Sequence, residues 1–383
     1  MRRLLSSCLC ACVLLLAGFA WPDGAGALGG QLVAPGGVSP LLPTGRIERA
    51  LARLPHREGF VHNADGVPLY WRALDPGAYR LDYAYRAGTT QHMDFELDFS
   101  TPQVATAPRG TVLLLHGWMM DGGSLLPWSL QLAQAGYRTI SLDLRNHGRS
   151  GAAPSGYGLR EARDVADAVA ALRARGEIAG PLHLMGVSYG AATAIFGARE
   201  LGAQVDTVVA LESFDNAAQA IRDMVPHMLH KAPETLGQQF SHRWLRWQLD
   251  APALERAIDT AGQALDLPLA RVDVGNALAG VRACVLLVHG VDDAHVPVAH
   301  GRALAAAAPR ARYIEVPGED HISLPMRLDR LAPTVIDWLD NASPARFCPP
   351  PLALAEPAGS CREAHGAGDR LRRWASRPTR HAA

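Results

Sequence analysis

The sequence predicts an α/β fold, in which helices cover both faces of a mostly parallel sheet and a helical cap is inserted between two strands. Short, nearly continuous apolar runs begin after Gly110 and alternate with alanine-rich stretches. Strands that are apolar along their whole length are typical of parallel sheets that are buried on both faces. One connection, residues 214–281, is much longer than the others and carries several helix-like patterns, which predicts the cap.

The apolar runs predict six strands of this sheet, and residues 159–175 and 190–201 predict two of the helices. The runs are GTVLLLHG (110–117), RTISLDL (138–144), PLHLMGVS (181–188), DTVVALES (206–213), ACVLLVHG (283–290) and RYIEVPG (312–318). Upstream, YRLDYAYR (79–86) and HMDFELDF (92–99) alternate as half-buried strands do, which predicts an antiparallel pair. The core domain is therefore predicted over 109–341, preceded by an arm with the first strands over 28–108.

Composition argues against a nucleic-acid-binding protein. The 37 Lys and Arg residues balance the 37 Asp and Glu residues, so the formal net charge is zero. Nucleic-acid-binding proteins usually carry a basic face. With 48% hydrophobic residues, the chain instead has the composition of a globular protein with a sizeable core.

The first 27 residues have the layout of a secretory signal peptide. A basic start at Met1–Arg3 precedes an almost wholly apolar run over Leu9–Ala20, and small residues follow. This layout predicts cleavage after Ala20 or Ala27 and a periplasmic or secreted protein.

The cysteines and the C-terminal tail are consistent with an exported protein. Cys284 lies inside a predicted strand and is interpreted as an unpaired core thiol. Cys348 and Cys361 flank a proline-rich loop, which predicts a disulfide between them, with two unpaired thiols as the alternative. Residues 342–383 are rich in proline and basic residues and are predicted to be disordered.

The motif GVSYG, residues 186–190, predicts a nucleophile at Ser188. It follows a predicted strand and precedes a predicted helix. In that context G-x-S-x-G forms a sharp turn that exposes the serine hydroxyl, and its glycines let the two backbones approach closely. The motif alone arises often by chance, and its position between strand and helix makes it specific.

A serine nucleophile needs a base and an acid that orients the base. We expect both at the ends of the last two strands, in the segments HGVDDAHVP and PGEDHISLP. His321 is predicted as the base and Asp293 as the acid, which gives the chain order Ser, Asp, His. Asp292 is the first alternative for the acid, and Glu212 and Asp215 follow it.

An oxyanion hole requires two backbone N–H groups near the nucleophile. Tyr189, directly after Ser188, is predicted to supply one of them, and Trp118 the other. His116, two residues before Trp118, is interpreted as a structural residue that holds this loop.

These segments together resemble the α/β-hydrolase family. The similar motifs are LLLHGW (113–118), LDLRNHGRS (142–150), GVSYG (186–190), HGVDDAHVP (289–297) and GEDH (318–321). The resemblance spans about residues 109–340 and is nearest to serine aminopeptidases, monoacylglycerol lipases and small esterases. It departs at Asn146, where the family commonly has glycine. Asparagine tolerates a left-handed turn, so we expect the loop to be preserved.

The resemblance implies a serine hydrolase that cleaves short-to-medium acyl esters without a metal or organic cofactor, and the signal peptide predicts that it is exported. A proline-preferring aminopeptidase or a thioesterase on the same triad is the alternative, and a non-catalytic binding module is the alternative from another class. An aminopeptidase would need clustered carboxylates in the cap, and the carboxylates there are not obviously clustered. They are Glu234, Asp250, Glu255 and Asp259.

The cap also carries apolar residues and two histidines. His227 and His230 lack a clear third ligand, so a metal site is not predicted. The apolar residues are expected to line an acyl pocket, or to pack within the cap; they are Met224, Met228, Phe240, Trp244 and Trp247. The cap or the tail could also contact lipid or a membrane surface.

Overall fold

The computed structural model describes residues 24–35, 44–86, 94–100, 106–230, 249–344, 347–354 and 372–375. The strands are β1 (Arg57–His62), β2 (Pro68–Leu74), β3 (Arg80–Arg86), β4 (Asp94–Ser100), β5 (Thr111–Leu115), β6 (Arg138–Leu142), β7 (Leu182–Val187), β8 (Thr207–Leu211), β9 (Cys284–Gly290), β10 (Arg312–Val316) and β11 (Arg372–Ala375). The α-helices within these residues are α1 (Gly24–Val33), α2 (Thr44–Leu51), α3 (Leu126–Gln134), α4 (Leu159–Ala174), α5 (Tyr189–Leu201), α6 (Ala217–His230), α7 (Ala251–Ala264), α8 (Val274–Ala279), α9 (Val298–Ala307) and α10 (Leu328–Asn341).

Eight strands form one sheet, in the order β1-β2-β6-β5-β7-β8-β9-β10. Six neighbouring strands of this sheet run parallel to one another: β6, β5, β7, β8, β9 and β10. At one edge, β2 pairs antiparallel with β6, and β1 pairs antiparallel with β2. Each of the six predicted apolar runs supplies one parallel strand, so the predicted α/β fold is confirmed.

The central strands are apolar along their length because both faces of the sheet are covered. Every residue of β5, β7, β8 and β9 is buried. Residues of α4, α5, α8 and α9 pack on one face, and residues of α3 and α10 pack on the other. In such a sheet, ligands bind outside the carboxyl ends of the strands, where the loops carry the polar side chains.

The N-terminal part of the chain contributes a second sheet and two helices. β3 and β4 pair antiparallel, with Arg80 opposite Ser100, which confirms the predicted pair. β11 joins the other edge of β3. The helix α1 packs on α7, where Ala25 and Ala257 are both buried.

The prediction for the cysteines is wrong. Cys284 is bonded to Cys348, with a Cα–Cα distance of 5.3 Å and a sequence separation of 64 residues. Arg312 on β10 holds the returning chain in place by donating to the carbonyl oxygens of Cys348 at 2.7 Å and Pro349 at 3.1 Å. Cys284 is thus paired, and Cys361, the predicted partner of Cys348, lies outside the described residues.

The long connection between β8 and β9 contains α6, α7 and α8. Of these, α8 packs on α5 and α9, whereas α6 and α7 pack on each other. Residues 231–248 lie outside the described residues, and with them Phe240, Trp244 and Trp247. No helix in the described ranges is long and apolar enough to cross a membrane.

Candidate active site

Ser188 lies in a tight turn between β7 and α5, with φ 54° and ψ −114°. A Cβ atom on Gly186 would lie 2.0 Å from the carbonyl oxygen of Gly190, and one on Gly190 would lie 2.1 Å from that of Leu115. Both positions therefore require glycine. Because a non-glycine residue at positive φ is strained, the turn holds Ser188 in a conformation that the surrounding packing must enforce.

The hydroxyl of Ser188 is joined to two other side chains by hydrogen bonds. His321 Nε2 lies 3.0 Å from Ser188 Oγ, and His321 Nδ1 lies 2.7 Å from Asp293 Oδ2. Asp293 follows β9 and His321 follows β10, so the parallel sheet brings together three residues that are far apart in sequence. The structure thus joins the predicted nucleophile, base and acid by a continuous series of hydrogen bonds.

Asp293 is held as a carboxylate by several donors. Its Oδ1 accepts the backbone N–H groups of His295 and Val296, each at 2.8 Å. Burial alone would raise the pKa of Asp293, but the charge of His321 and the hydrogen bonds to the carboxylate hold that pKa well below its ordinary value. Asp293 is thus a fixed negative charge beside the imidazole.

The structure also places the alternative acids. Asp292 is exposed. Asp215 is bound to His300, on α9. Glu212, in contrast, is completely buried, and its Oε2 lies 3.7 Å from His321 Nδ1. Asp293 is the nearer carboxylate to His321, and Glu212 is a second one.

The two predicted oxyanion residues lie beside Ser188. Tyr189 is the first residue of α5, so its backbone N–H has no partner within the helix and lies at the positive end of the helix dipole. A Cβ on Gly117 would lie 3.8 Å from that of Ser188, which puts the loop with Trp118 next to the nucleophile. The rings of Trp118 and Tyr189 are 4.9 Å apart.

His116 anchors this loop to the neighbouring strand. Its Nε2 accepts the backbone N–H of Leu144 at 3.0 Å, and its Nδ1 donates to the carbonyl oxygen of Gly117 at 2.8 Å. Burial lowers the pKa of His116 to about 3, so the ring is neutral, as these two bonds require. This geometry agrees with the structural role predicted for His116.

The loop after β6 keeps its turn at the position where the sequence departs from the family pattern. Asn146 has φ 64°, in the left-handed region that asparagine tolerates. Nearby, Asp143 accepts the backbone N–H groups of Gly122 at 2.7 Å and Arg149 at 2.8 Å. Asp143 thus ties the two loops on this side of the site together.

Two histidines that the sequence did not assign to the site extend from His321, with His295 next to His321 and His227 next to His295. The ring of His295 is 5.4 Å from that of His321, and the ring of His227 on α6 is 4.5 Å from that of His295. On the same helix, Met224 is half-buried and Met228 is 48% exposed. The first cap helix therefore reaches the carboxyl end of the sheet.

Among the described residues, one group of acidic and histidine side chains could hold a metal ion. It consists of Glu212, Asp293 and His321, whose possible ligand atoms all lie within 4.8 Å of one another. In this structure His321 uses both ring nitrogens to join Ser188 to Asp293. His321 and Asp293 are thus engaged with each other, and His321 with Ser188.

Comparison with known proteins shows what the larger part of this chain is similar to. A family model described as "Alpha/beta hydrolase family" matches residues 112–335. The chain is 27% identical over 236 residues to the uncharacterized protein YqkD of Bacillus subtilis, covering 60% of this chain and 71% of YqkD. It is 25% identical over 230 residues to the AB hydrolase superfamily protein YisY of the same organism, covering 55% of this chain and 84% of YisY. The structure is similar to that of the esterase Pf2001 of Pyrococcus furiosus, with a TM-score of 0.55, 17% identity, and coverage of 81% of this chain and 99% of that one.

Proposed function

We propose that this chain, which belongs to the alpha/beta hydrolase family, is a serine hydrolase that cleaves carboxylic esters. The observation that carries the proposal is the hydrogen-bonded chain from Ser188 Oγ through His321 to Asp293. This arrangement is the one that turns an unreactive serine hydroxyl into a nucleophile.

In the proposed reaction, Ser188 Oγ attacks the ester carbonyl carbon while His321 Nε2 removes its proton. Asp293 accepts the hydrogen bond from Nδ1 and stabilises the imidazolium that forms. His321 then gives the proton to the departing alcohol, and an acyl group remains on Ser188. Water, deprotonated by the same imidazole, attacks the acyl carbon and releases the carboxylic acid.

The negative oxygen of each tetrahedral intermediate would be bound by the backbone N–H groups of Tyr189 and Trp118. Donors that are already oriented cost no reorganisation during the reaction, and removing one such donor typically lowers the rate by ~10²–10³. The bonds from His116 to Leu144 and Gly117 support this proposal, because they fix the loop that carries Trp118.

Two of the described cap carboxylates already have partners, which favours an ester over a peptide with a free amino terminus. Asp250 caps α7 by accepting the N–H of Ala253 at 2.8 Å. Glu255 forms a two-point ion pair with Arg222, at 2.7 and 2.8 Å. A substrate ammonium group would have to compete with these partners. The name of the Pyrococcus furiosus neighbour, an esterase, agrees with this choice.

We also propose that the protein is exported. The bond between Cys284 and Cys348 supports this proposal, since disulfides persist in oxidising compartments. Cleavage after Ala20 would leave α1 whole, because the helix begins at Gly24. Cleavage after Ala27 would remove its first turn and the buried contact of Ala25. We therefore favour a mature protein that begins at Trp21.

A substrate panel tests the proposed activity. Chromogenic esters of increasing acyl length, a thioester and a proline arylamide are compared under one set of conditions, with Ser188→Ala as the matched inactive control. We expect kcat/KM to be highest for a short or medium acyl ester. Efficient cleavage of the proline arylamide with negligible ester turnover would instead identify an aminopeptidase.

A further inference from the structure

Glu212 is a buried acid beside the imidazole that the proposed mechanism does not use. It directly follows β8, has φ 56°, and is completely buried. Neither carboxyl oxygen has a hydrogen-bond partner of good geometry among the described residues. A buried polar group without a partner and a strained backbone are each unfavourable, and both together at one residue call for a physical account.

The carboxyl group of Glu212 lies close to the imidazole of His321. Its Oε2 lies 3.7 Å from His321 Nδ1, the same atom that lies 2.7 Å from Asp293 Oδ2. A small rotation of the side chain would bring Oε2 within hydrogen-bonding distance of Nδ1. His321 thus has two acids on one side, and only one of them can accept its Nδ1–H at a time.

Two carboxyl groups so close together do not both remain charged in a buried site. Asp293 accepts hydrogen bonds from His321 and from two backbone N–H groups, so the negative charge is more stable on Asp293. Burial raises the pKa of Glu212 well above its ordinary value, and the negative charge of Asp293 raises it further. Glu212 is therefore the neutral member of the pair.

Other charged groups around Glu212 either raise its pKa further or are already held in ion pairs. The carboxylates of Asp320 and Glu319 also raise the pKa of Glu212, and the backbone of Gly290 lowers it. Glu319 is bound by Arg327 and by Arg330. His289 Nε2 lies 3.4 Å from Asp293 Oδ2.

We propose that Glu212 is a second, reserve acid for His321, which stays protonated while Asp293 is charged and takes over the orientation of His321 when Asp293 cannot accept its Nδ1–H. When Asp293 is replaced by a neutral residue, Glu212 releases its proton to water and its Oε2 accepts the Nδ1–H. This proposal deepens the proposed serine hydrolase function and rests on it. Glu212 acts through His321 and is a positioning residue.

A double-mutant cycle tests this role, using the best ester substrate of the wild-type protein. In a triad without a second acid, replacing aspartate by asparagine lowers kcat by about 10⁴. We expect D293N to lose only about 10², and D293N/E212Q to lose at least a further tenfold or so, because the reserve acid is then gone. The variant E212Q alone should lose no more than about fivefold, since one neutral group replaces another of similar size. The matched control, D293N/D292N, removes an exposed acid from the same loop and should equal D293N.

The pH dependence of kcat distinguishes a positioning role of Glu212 from a role in packing alone. In D293N, kcat should rise with pH as Glu212 ionises, and this rise should disappear in D293N/E212Q. Infrared spectroscopy at neutral pH provides a readout that needs no activity and only folded D293N. The band of one protonated carboxylic acid should be present in the wild type and missing in D293N.

Three results would overturn the proposal: equal activity in D293N and D293N/E212Q, a loss in E212Q as large as that in D293N, or an unchanged infrared band in D293N. Failure of the proposed function looks different. In that case wild-type Ser188 would not react with a fluorophosphonate, whereas failure of the reserve-acid role leaves a reactive Ser188 and normal wild-type ester turnover.

Discussion

Cys284, the first residue of β9, is covalently linked to Cys348, which follows α10 in the chain. The same strand leads directly to Asp293 at its other end. The disulfide therefore ties the segment after α10, for which the sequence predicts disorder, to a strand that positions the acid.

Peptide mapping without reductant should recover a Cys284–Cys348 linked pair. Reducing the disulfide should lower the free energy of unfolding by about 4 kcal/mol, because the bond closes a long loop in the unfolded chain. Urea titrations with and without reductant measure this change, and Cys361→Ser serves as the control. Recovery of a Cys348–Cys361 peptide would contradict the structure.

Removing the proposed nucleophile or base should abolish turnover while leaving the fold intact. We expect Ser188→Ala and His321→Ala each to lower kcat by as much as about 10⁶, and the double variant to be no worse than either single one, because these residues act as a unit. Steady-state kinetics with circular dichroism check both parts. Additive losses would mean that the two side chains work independently.

His300 should make stability depend on pH. Burial lowers its pKa, but the hydrogen bonds and charges of Asp215 and Asp223 outweigh burial and raise the pKa above its ordinary value. The folded state thus binds this proton more tightly than the unfolded state does. The stabilisation is complete below the ordinary histidine pKa of about 6.5 and is lost as pH rises through the raised value.

Urea unfolding of the wild type and of His300→Gln at several pH values measures this contribution. The difference in unfolding free energy between the two proteins should shrink as pH rises through the raised pKa. A difference that is constant with pH, or that grows with pH, would show that His300 is not held as a cation by Asp215 on the loop and Asp223 on α6.

A single methyl group at Gly190 should prevent normal folding. The Cβ of Gly190→Ala would lie 2.1 Å from the carbonyl oxygen of Leu115, which is backbone and cannot move aside cheaply. Gly30→Ala is the matched control, because a Cβ there has no atom within 4 Å. We expect Gly190→Ala to be largely insoluble or to unfold well below the wild type, and Gly30→Ala to be at least as stable as the wild type. Equal melting temperatures would contradict the close approach of β5 and α5.

The parallel sheet and the turn at Ser188 could be predicted because each depends on local sequence. Strands buried on both faces appear as continuous apolar runs, and a turn without room for Cβ atoms requires Gly186 and Gly190 at fixed spacing. In contrast, β1 lies at the edge of the sheet. The residues of β1 alternate between partly buried or buried and exposed positions, so the strand does not appear in the sequence as a continuous apolar run.

The remaining features depend on which distant residues meet in space. Spacing cannot decide between Asp292 and Asp293, and the fold decides by burying the second of them against His321. The partner of Cys348 is likewise set by the return of the chain along β10. In the sequence, Glu212 lies at the end of a predicted strand, as one of the alternatives for the acid. Its proposed role follows from its burial next to His321 in the fold.

The most direct test of the central claim is covalent labelling of the folded protein with a fluorophosphonate, followed by mass spectrometry of the peptides. We predict one adduct, on the peptide that contains Ser188, with ester turnover lost in proportion to labelling, and no adduct in Ser188→Ala or His321→Ala. If the wild-type protein hydrolyses esters but carries no adduct on Ser188, or if Ser188→Ala retains wild-type turnover, then Ser188 is not the nucleophile.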